Sequence, residues 1–268
     1  MTAARAAGAR LAFPGATALT LLEVYDWPGP DGRRGGSAHV HLACSEAYFV
    51  LDGRGRLETL GAEGHREVPL RGGDCLWFTP GTVHRLINDD ALRILVVMQN
   101  AGLPEAGDAV FTFPPDVLAD PERYAAAAGL PAGDEETLEA AARRRRDLSV
   151  EGYLALRARV AAEGPGALGD FLAAAVRLVA DRVPEWRRRW RGQAPAVAAL
   201  TGRYLEAIQA GRTDHLGGVL LRSPGRRAYG MCGRLTTYAA PCPPGPPEVA
   251  RPGSRPYGVE AERPVGPA

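Results

Sequence analysis

The sequence has no lysine. All 32 basic residues are arginines, and 31 acidic residues leave a formal net charge of +1 at pH 7. A chain with so little net charge has no overall attraction to nucleic acid or to an anionic membrane surface, so we expect neither partner. The excess of arginine, glycine and proline over lysine is typical of a GC-rich bacterial genome, because the codons of these three residues are GC-rich.

Cysteine is also scarce. The four cysteines, Cys44, Cys75, Cys232 and Cys242, form no CxxC pair. A chain of 268 residues, 46% of them hydrophobic, can bury a core without disulfide bonds. We therefore expect reduced thiols, as in a cytoplasmic protein.

Long hydrophobic runs are absent as well. The N-terminal segment contains arginines, but it has no continuous apolar run followed by a cleavage site, which a secretory signal requires. No later run approaches the ~20 apolar residues of a membrane-spanning helix. The sequence therefore predicts a cytoplasmic location.

Short strand-like runs fill the first part of the chain, at a spacing of about ten residues. They are TALTLLEVY, AHVHLAC, AYFVLDG, GRLETL, HREVPL, DCLWF, HRLIN, LRILVVM and AVFTF. Turn-forming residues separate them, with tight turns predicted at 52–55, 61–64 and 72–74. Such a series is typical of an all-β sandwich or barrel, and we expect residues 17–115 to form one β unit after an N-terminal arm over 1–16.

The pattern becomes helical after the β region. Residues 116–133 are predicted to be a linker with one short helix over 121–128, and residues 134–212 a helical region. Within that region the sequence predicts helices over 135–147, 150–163 with Ser149 as the N-cap, 167–191 with a kink or division at Pro184, and 196–210. Apolar stripes on these helices predict a small antiparallel bundle that docks on the β unit or on a second subunit, so a homodimer is expected.

The last part of the chain has two predicted segments. Residues 213–240 recover some β character and are predicted to form short strands or a loop that returns to the edge of the barrel. Residues 241–268 contain nine prolines and few large apolar side chains. This composition predicts a disordered tail.

Two segments in the first third of the chain carry the candidate chemistry, GGSAHVHLACSEAYFVLDG at 35–53 and GGDCLWFTPGTVHRLIN at 72–88. Side chains two residues apart on a strand share a face, so His39 and His41 point into the same space. Glu46 follows after a short link, and His84 comes from a later strand. Three imidazoles and one carboxylate suit one divalent first-row ion such as Fe, Mn, Ni or Zn, with two octahedral positions left open for water, substrate or dioxygen. A structural zinc site would be closed and richer in cysteine.

These two segments resemble the paired motifs of the cupin superfamily. His39, His41, Glu46 and Gly53 match the first motif, although the opening glycine stands closer to His39 than the family pattern has it. In the second motif, Gly73, Gly81, His84 and Asn88 match, but the proline is Pro80, one position late, and Thr79 stands where the family has proline. The resemblance covers about 100 residues and implies a small jelly-roll β-barrel with the metal bound inside.

Other polar and aromatic residues near the motifs have open roles. Tyr48 or Trp77 is expected to line the cavity, and Asn88 to fix the backbone near the second motif or else to support a ligand from behind. His65 lies in the polar hairpin EGHRE and is expected to be exposed rather than ligating. Among the polar residues on the barrel strands, an inward-pointing Arg85 would indicate an anionic substrate unless a carboxylate pairs with it.

Two arginine runs, at 143–146 and 187–191, admit two interpretations. Basic residues beside Trp186 and Trp190 are compatible with nucleic-acid binding. The runs are more typical of solvated helix faces, because acidic residues nearby offset the charge and the tryptophans belong to an apolar stripe. We expect the solvated face.

Two functions from different classes fit this sequence. The first is a metalloenzyme acting on a small oxygen-rich substrate, a sugar or a carboxylate, and the cupin resemblance implies dioxygenases, decarboxylases and sugar isomerases as candidates. The second is a small-ligand-binding or sensory cupin without catalysis. Both have a small molecule as partner.

Overall fold

The computed structural model describes residues 12–218 and 220–238. Seven strands come first along the chain, then six helices, then a β-hairpin. The strands are β1 (Ala18–Val24), β2 (His39–His41), β3 (Glu46–Gly61), β4 (Gly64–Arg71), β5 (Cys75–Phe78), β6 (Val83–Met98), β7 (Ala109–Phe111), β8 (Arg226–Tyr229) and β9 (Gly233–Tyr238). The helices are α1 (Pro115–Leu118), α2 (Pro121–Ala128), α3 (Glu135–Glu163), α4 (Gly166–Val179), α5 (Val183–Arg191) and α6 (Ala194–Gln209).

Two long strands, β3 and β6, join the two halves of an antiparallel jelly-roll. The first half of β3 pairs with β5 and with the end of β6, while its second half pairs with β4 and with the start of β6. On the first half, β1 and then β9 continue the sheet beyond β6. On the second half, β2 pairs with β6 and β7. The inner faces of the two halves enclose the core.

The tight hairpin predicted at 52–55 is wrong. Residues 46–61 form one strand, and the register shifts between Val50 and Gly55 mark a β-bulge. A Cβ on Gly53 would lie 2.4 Å from the carbonyl oxygen of Ala91, and one on Gly55 would lie 2.2 Å from that of Ile87. These glycines therefore do not form a turn. They allow β3 to approach β6 closely at a bend, a role that glycine often has within strands. The turn between Gly61 and Gly64 is present as predicted.

Helix α3 is continuous where the sequence predicts two helices. Its N-cap is Asp134, whose side chain accepts a hydrogen bond from the Thr137 amide. Ser149 is fully buried in the middle of the helix, where its hydroxyl donates to the carbonyl oxygen of Ala38 at 2.9 Å. The serine hydroxyl thus has a tertiary partner, and the helix does not begin there. The division at Pro184 is confirmed, because a 3-10 turn over Ala180–Arg182 separates α4 from α5.

One stripe of α3 fixes the chain that leads into β2. The guanidinium of Arg146 donates to the carbonyl oxygens of Trp27, Pro28 and Gly35, at 2.7 to 3.0 Å. Two turns further along, a Cβ on Gly152 would lie only 1.9 Å from the carbonyl oxygen of Thr112. The helix therefore lies directly against the backbone of the barrel.

The solvated face expected for the run at 143–146 is consequently wrong for two of its members. Arg145 is 7% exposed and Arg146 is 1% exposed. Both charged groups donate to backbone carbonyl oxygens of distant segments. The sequence pattern could not reveal this role, because the acceptors are up to 119 residues away.

Helices α1 to α5 share a hydrophobic core with the β unit. This core contains strand residues such as Ile94 and helix residues such as Tyr153 and Phe171. Trp186 joins this core, whereas Trp190 is 41% exposed. No helix in the described parts of the chain is both long and apolar enough to cross a membrane.

The hairpin of β8 and β9 returns to the barrel, as the sequence predicts, and β9 pairs with β1. The run GGVLLR is not a strand in the part of it that is described; β8 begins later, at Arg226. Cys44, Cys75 and Cys232 are free thiols. The segment 241–268 that the sequence predicts to be disordered, most of the N-terminal arm and Cys242 lie outside the described residues.

Candidate metal centre

Three histidines and one glutamate meet inside the barrel. His39 is paired in register with His84 across β2 and β6, so their side chains lie side by side on the inner face. His41 shares that face two residues along, and Glu46 is the first residue of β3, on the facing half. One potential ligand atom from each of the four residues lies within 4.8 Å of the others. The four residues that the sequence singles out therefore form one cluster.

The cluster is buried and its polar atoms converge. Exposure is 4% for His39, 7% for His41, 6% for Glu46 and 0% for His84. Glu46 Oε2 lies 3.3 Å from His41 Nε2 and 3.1 Å from His84 Nε2. Among the described residues, Glu46 Oε2 and His84 Nε2 have no hydrogen-bond partner.

The opposite ring nitrogen of each histidine has a partner outside the cluster. His39 Nδ1 lies 3.2 Å from the carbonyl oxygen of Ser37, and His84 Nδ1 lies 3.1 Å from that of Thr82. His41 Nδ1 lies 3.0 Å from Oδ2 of Asp108. The carbonyl acceptors at Nδ1 of His39 and His84 place the proton there and leave the Nε2 lone pair directed into the cluster, which is the arrangement of metal-ligating histidines.

The electrostatics of the cluster favour ligand forms for His39 and Glu46. Burial lowers the pKa of His39 well below its ordinary value, and the neighbouring His84 and His41 lower it further. Burial opposes the charge of Glu46, but the proximity of His41 and His84 to its carboxylate outweighs burial and lowers the pKa of this carboxyl. His39 is thus neutral and Glu46 ionised near pH 7.

His41 differs because it lies between two carboxylates. Burial alone would lower its pKa, but its contacts with Asp108 and Glu46 raise the pKa to about 9. Without a metal ion, a proton on this ring holds the carboxylates together. A cation among the four residues would supply the same neutralisation.

Aromatic and sulfur-containing side chains surround the cluster. The Phe78 ring lies 4.3 Å from that of His84, between centroids. The buried hydroxyl of Tyr48 has no hydrogen-bond partner in the described chain, and burial together with Glu46 raises its pKa. Cys232, from the turn between β8 and β9, lies 3.9 Å from His39 Nδ1. The C-terminal hairpin therefore forms one wall of the site.

Tyr48 lies beside the cluster, whereas Trp77 does not. On β5, Phe78 opposes Glu46 and Leu76 opposes Tyr48, so these positions take the inner face. Trp77 opposes Ala47 on the outer face and is 73% exposed. Of the two alternatives that the sequence leaves open, Tyr48 takes the inner face and Trp77 does not, because strand alternation turns the Trp77 side chain outward.

Asn88, His65 and Arg85 lie away from the cluster. The Asn88 side chain donates to the carbonyl oxygen of Val24 and accepts from the amide of Leu92, so it fixes backbone. His65 Nε2 lies 3.4 Å from a carboxylate oxygen of Glu58, on the other side of the sheet from the four ligands.

Arg85 is fully buried, as the hypothesis of an anionic substrate would require. Carboxylates of this chain already pair with it: Asp31 at 2.6 Å and Glu58 at 3.6 Å. The arginine therefore gives no indication of an anionic substrate.

Asp108 is the residue of this site that the sequence does not reveal. It is fully buried, and its Oδ1 accepts hydrogen bonds from the amides of Leu42 and Ala43 while Oδ2 contacts His41. The pairing of β2 with β7 brings it there, since His41 opposes Ala109, the residue after Asp108. An acidic residue directly before a predicted strand was the one available signal.

The fold and the site define a class, the double-sheet jelly-roll proteins with a histidine-rich interior. Residues 30–98 match the family described as Cupin domain. Residues 30–98 therefore form a domain of the cupin superfamily, and a helical extension follows the barrel.

Solved structures resemble part of the chain, and no curated protein matches it. A double-stranded β-helix protein from Klebsiella pneumoniae is 17% identical over 32% of this chain and 69% of its own, with a TM-score of 0.27. Pac13, a nucleoside dehydratase, is 15% identical over 31% and 58%, with a TM-score of 0.25; a related structure of it, from Streptomyces, contains uridine. A predicted oxalate decarboxylase from Thermotoga maritima is 24% identical over 31% and 64%, with a TM-score of 0.24. The chain thus spans less than two thirds of the length of Pac13 and of the predicted oxalate decarboxylase.

Proposed function

We propose that this protein is a metal-dependent enzyme that acts on a small oxygen-rich substrate, a sugar or a carboxylate. One divalent transition-metal ion, Fe, Mn, Ni or Zn, would be held by His39, His41, Glu46 and His84.

The observation that carries the proposal is the direction of the lone pairs. Because Nδ1 of His84 faces the Thr82 carbonyl, its Nε2 presents a lone pair to Glu46 Oε2 at 3.1 Å. Two buried acceptors at this distance repel each other unless a positive charge lies between them. Three imidazole nitrogens and a carboxylate are a donor set that first-row divalent ions accept.

The surroundings of the cluster support a small substrate. The four ligands are at most 7% exposed, so a macromolecule does not reach them. When bound, the ion supplies a Lewis acid for a sugar or carboxylate oxygen, or a centre that activates dioxygen.

Three neighbouring residues have roles that follow from their position. Asp108 holds the ring of His41, and Phe78 limits the access of water to His84. Tyr48 keeps its proton, since its pKa is raised, and its hydroxyl can donate a hydrogen bond to a ligand beside Glu46.

A reconstitution screen tests the proposal. The metal-free protein is loaded separately with Fe(II), Mn(II), Ni(II) and Zn(II), and each form is assayed for oxygen uptake and decarboxylation with small carboxylates and for isomerisation of small sugars. We expect turnover with at least one ion. Tyr48→Phe should retain the metal and lose most of that turnover.

The same screen separates catalysis from simple binding. Saturable binding of a carboxylate or sugar to the loaded protein, without turnover for any ion, would contradict the enzyme and support a ligand-binding cupin. Failure of all four ions to bind would contradict both the enzyme and the metal site.

A further inference from the structure

One outer face of the jelly-roll is apolar across five adjacent strands. Strand register arranges its side chains in rows that run across β9, β1, β6, β3 and β5. The first row is Tyr238, Leu19, Val97, Ala47 and Trp77, and the second is Thr236, Leu21, Leu95, Phe49 and Cys75. We call these ten side chains the outer apolar face.

Solvent reaches this face. Trp77 is 73% exposed and Phe49 is 43% exposed, and the other large members are half-buried against one another. The outer side of a free antiparallel sheet is normally polar, as expected from strand alternation. Five strands span ~20 Å, and with the width of the side chains the face has an area on the order of 500 Å². With its rim it approaches the roughly 800 Å² that each partner contributes to a stable interface.

A third row borders the apolar rows and consists of charges of alternating sign. It runs Arg234, Glu23, Arg93 and Asp52 across β9, β1, β6 and β3. All four are exposed, and Arg93 Nη1 lies 2.9 Å from Asp52 Oδ2. The four charges are positive, negative, positive and negative in this order. Read from the other end, they are negative, positive, negative and positive, so each charge faces its opposite. The row is therefore complementary to an inverted copy of itself.

We propose that a second copy of this chain packs on the outer apolar face, with a two-fold axis parallel to the strands between β1 and β6. This axis places Arg234 of each copy opposite Asp52 of the other and Glu23 opposite Arg93. It also places Leu19 opposite Val97 and Leu21 opposite Leu95. Tyr238 then meets Ala47 and Thr236 meets Phe49, as an isologous interface requires, while Trp77 and Cys75 at the edge of the face meet β8 of the other copy.

The sheet face has an advantage over the helices as the site of self-association. On α6, Leu205 is 62% exposed and Ile208 is 59% exposed. The sheet face, in contrast, combines apolar rows with a charged row that is complementary to an inverted copy of itself. Leu205 thus provides a matched control, an exposed apolar residue outside the proposed interface.

Sedimentation velocity over a concentration series tests the interface. We expect the unaltered protein to be a dimer, and Trp77→Arg to raise its dissociation constant at least ~30-fold, as the loss of a large aromatic side chain from an interface does. Leu205→Arg should leave the dimer unchanged. Circular dichroism of both variants should match the unaltered protein, since both side chains are largely exposed. A monomer at all concentrations, or a dimer indifferent to Trp77→Arg but broken by Leu205→Arg, would overturn the proposal.

A mixing experiment tests the axis itself. Arg234→Glu alone places like charges opposite each other twice per dimer, and so does Asp52→Arg, so each variant should dimerise more weakly than the unaltered protein. In a mixed dimer, Glu at position 234 faces Arg at position 52, and the other pair is native. We therefore expect an equimolar mixture to recover dimer. A mixture no more dimeric than the separate variants would exclude this axis.

Discussion

Asp108 Oδ2 lies 3.0 Å from Nδ1 of His41, on the side of the ring opposite Glu46. The other oxygen of Asp108 accepts from the amides of Leu42 and Ala43, so the carboxylate is fixed before it orients the ring. A histidine held in this way keeps one tautomer and one direction for Nε2. Residues that orient a ligand from behind contribute substantially to metal affinity.

Replacement of Asp108 by Asn tests this relationship. The amide keeps the shape but loses the charge that holds the proton on His41 Nδ1, so we expect metal affinity to fall about 10- to 100-fold. Competition with a chromophoric chelator measures the change. Asp116→Asn is the matched control, since this aspartate is exposed and pairs with Arg123. Equal affinities for the two variants would show that Asp108 does not orient the ligand.

The contact of α3 with the barrel gives a second prediction. A methyl group on Gly152 would meet the carbonyl oxygen of Thr112 at 1.9 Å, and neither the helix nor β7 can move without disturbing its packing. Gly152→Ala should therefore lower the free energy of unfolding by about 2–3 kcal/mol. Urea denaturation measures it.

Gly169 in α4 is the control for this prediction, because nothing lies within 4 Å of its added methyl group. Gly169→Ala should raise stability by up to about 1 kcal/mol through helix propensity. Destabilisation of equal size at both positions would contradict the close contact of α3 with the barrel.

The ion pair between Asp31 and Arg85 should contribute to stability in an acid-sensitive way. Burial opposes the charge of Asp31, but its hydrogen bonds from Arg85 outweigh this and lower the pKa of the carboxyl. A carboxyl whose pKa is lowered in the folded state stabilises the fold at pH values above its unfolded pKa of ~4. This stabilisation is lost as the pH falls through the pKa of the folded state.

Comparison of the unaltered protein with Asp31→Asn measures that contribution. The difference in unfolding free energy should be constant from about pH 7 to pH 5 and shrink below about pH 4. A difference that stays constant down to pH 2 would mean that folding does not change the pKa of Asp31.

The convergence of the four candidate ligands could be predicted from the sequence only in part by local rules. Strand alternation places His39 and His41 on one face, and the resemblance to the cupin motifs implies that Glu46 and His84 share the same interior. That these residues bind a metal remains a prediction. The choice between Tyr48 and Trp77 for the cavity could not be made, because alternation identifies two faces and does not say which one is inner.

Contacts between distant segments could not be predicted. The sequence does not state that β2 pairs with β7, and this pairing brings Asp108 to His41. Likewise Arg146 reaches carbonyl groups more than 100 residues away, so its run of arginines looks like a solvated surface. The glycines at 53 and 55 look like a turn, and only the bend between β3 and β6 explains them.

The most direct test of the account is the metal content of the protein after reconstitution and removal of excess ion, measured by mass spectrometry. We predict one equivalent of a divalent transition metal in the unaltered protein and in His65→Ala, whose imidazole lies outside the cluster. His84→Ala should lose most of it, because Nε2 of this residue is directed at Glu46. Equal metal content in His84→Ala and His65→Ala, or none in the unaltered protein, would contradict the proposed centre.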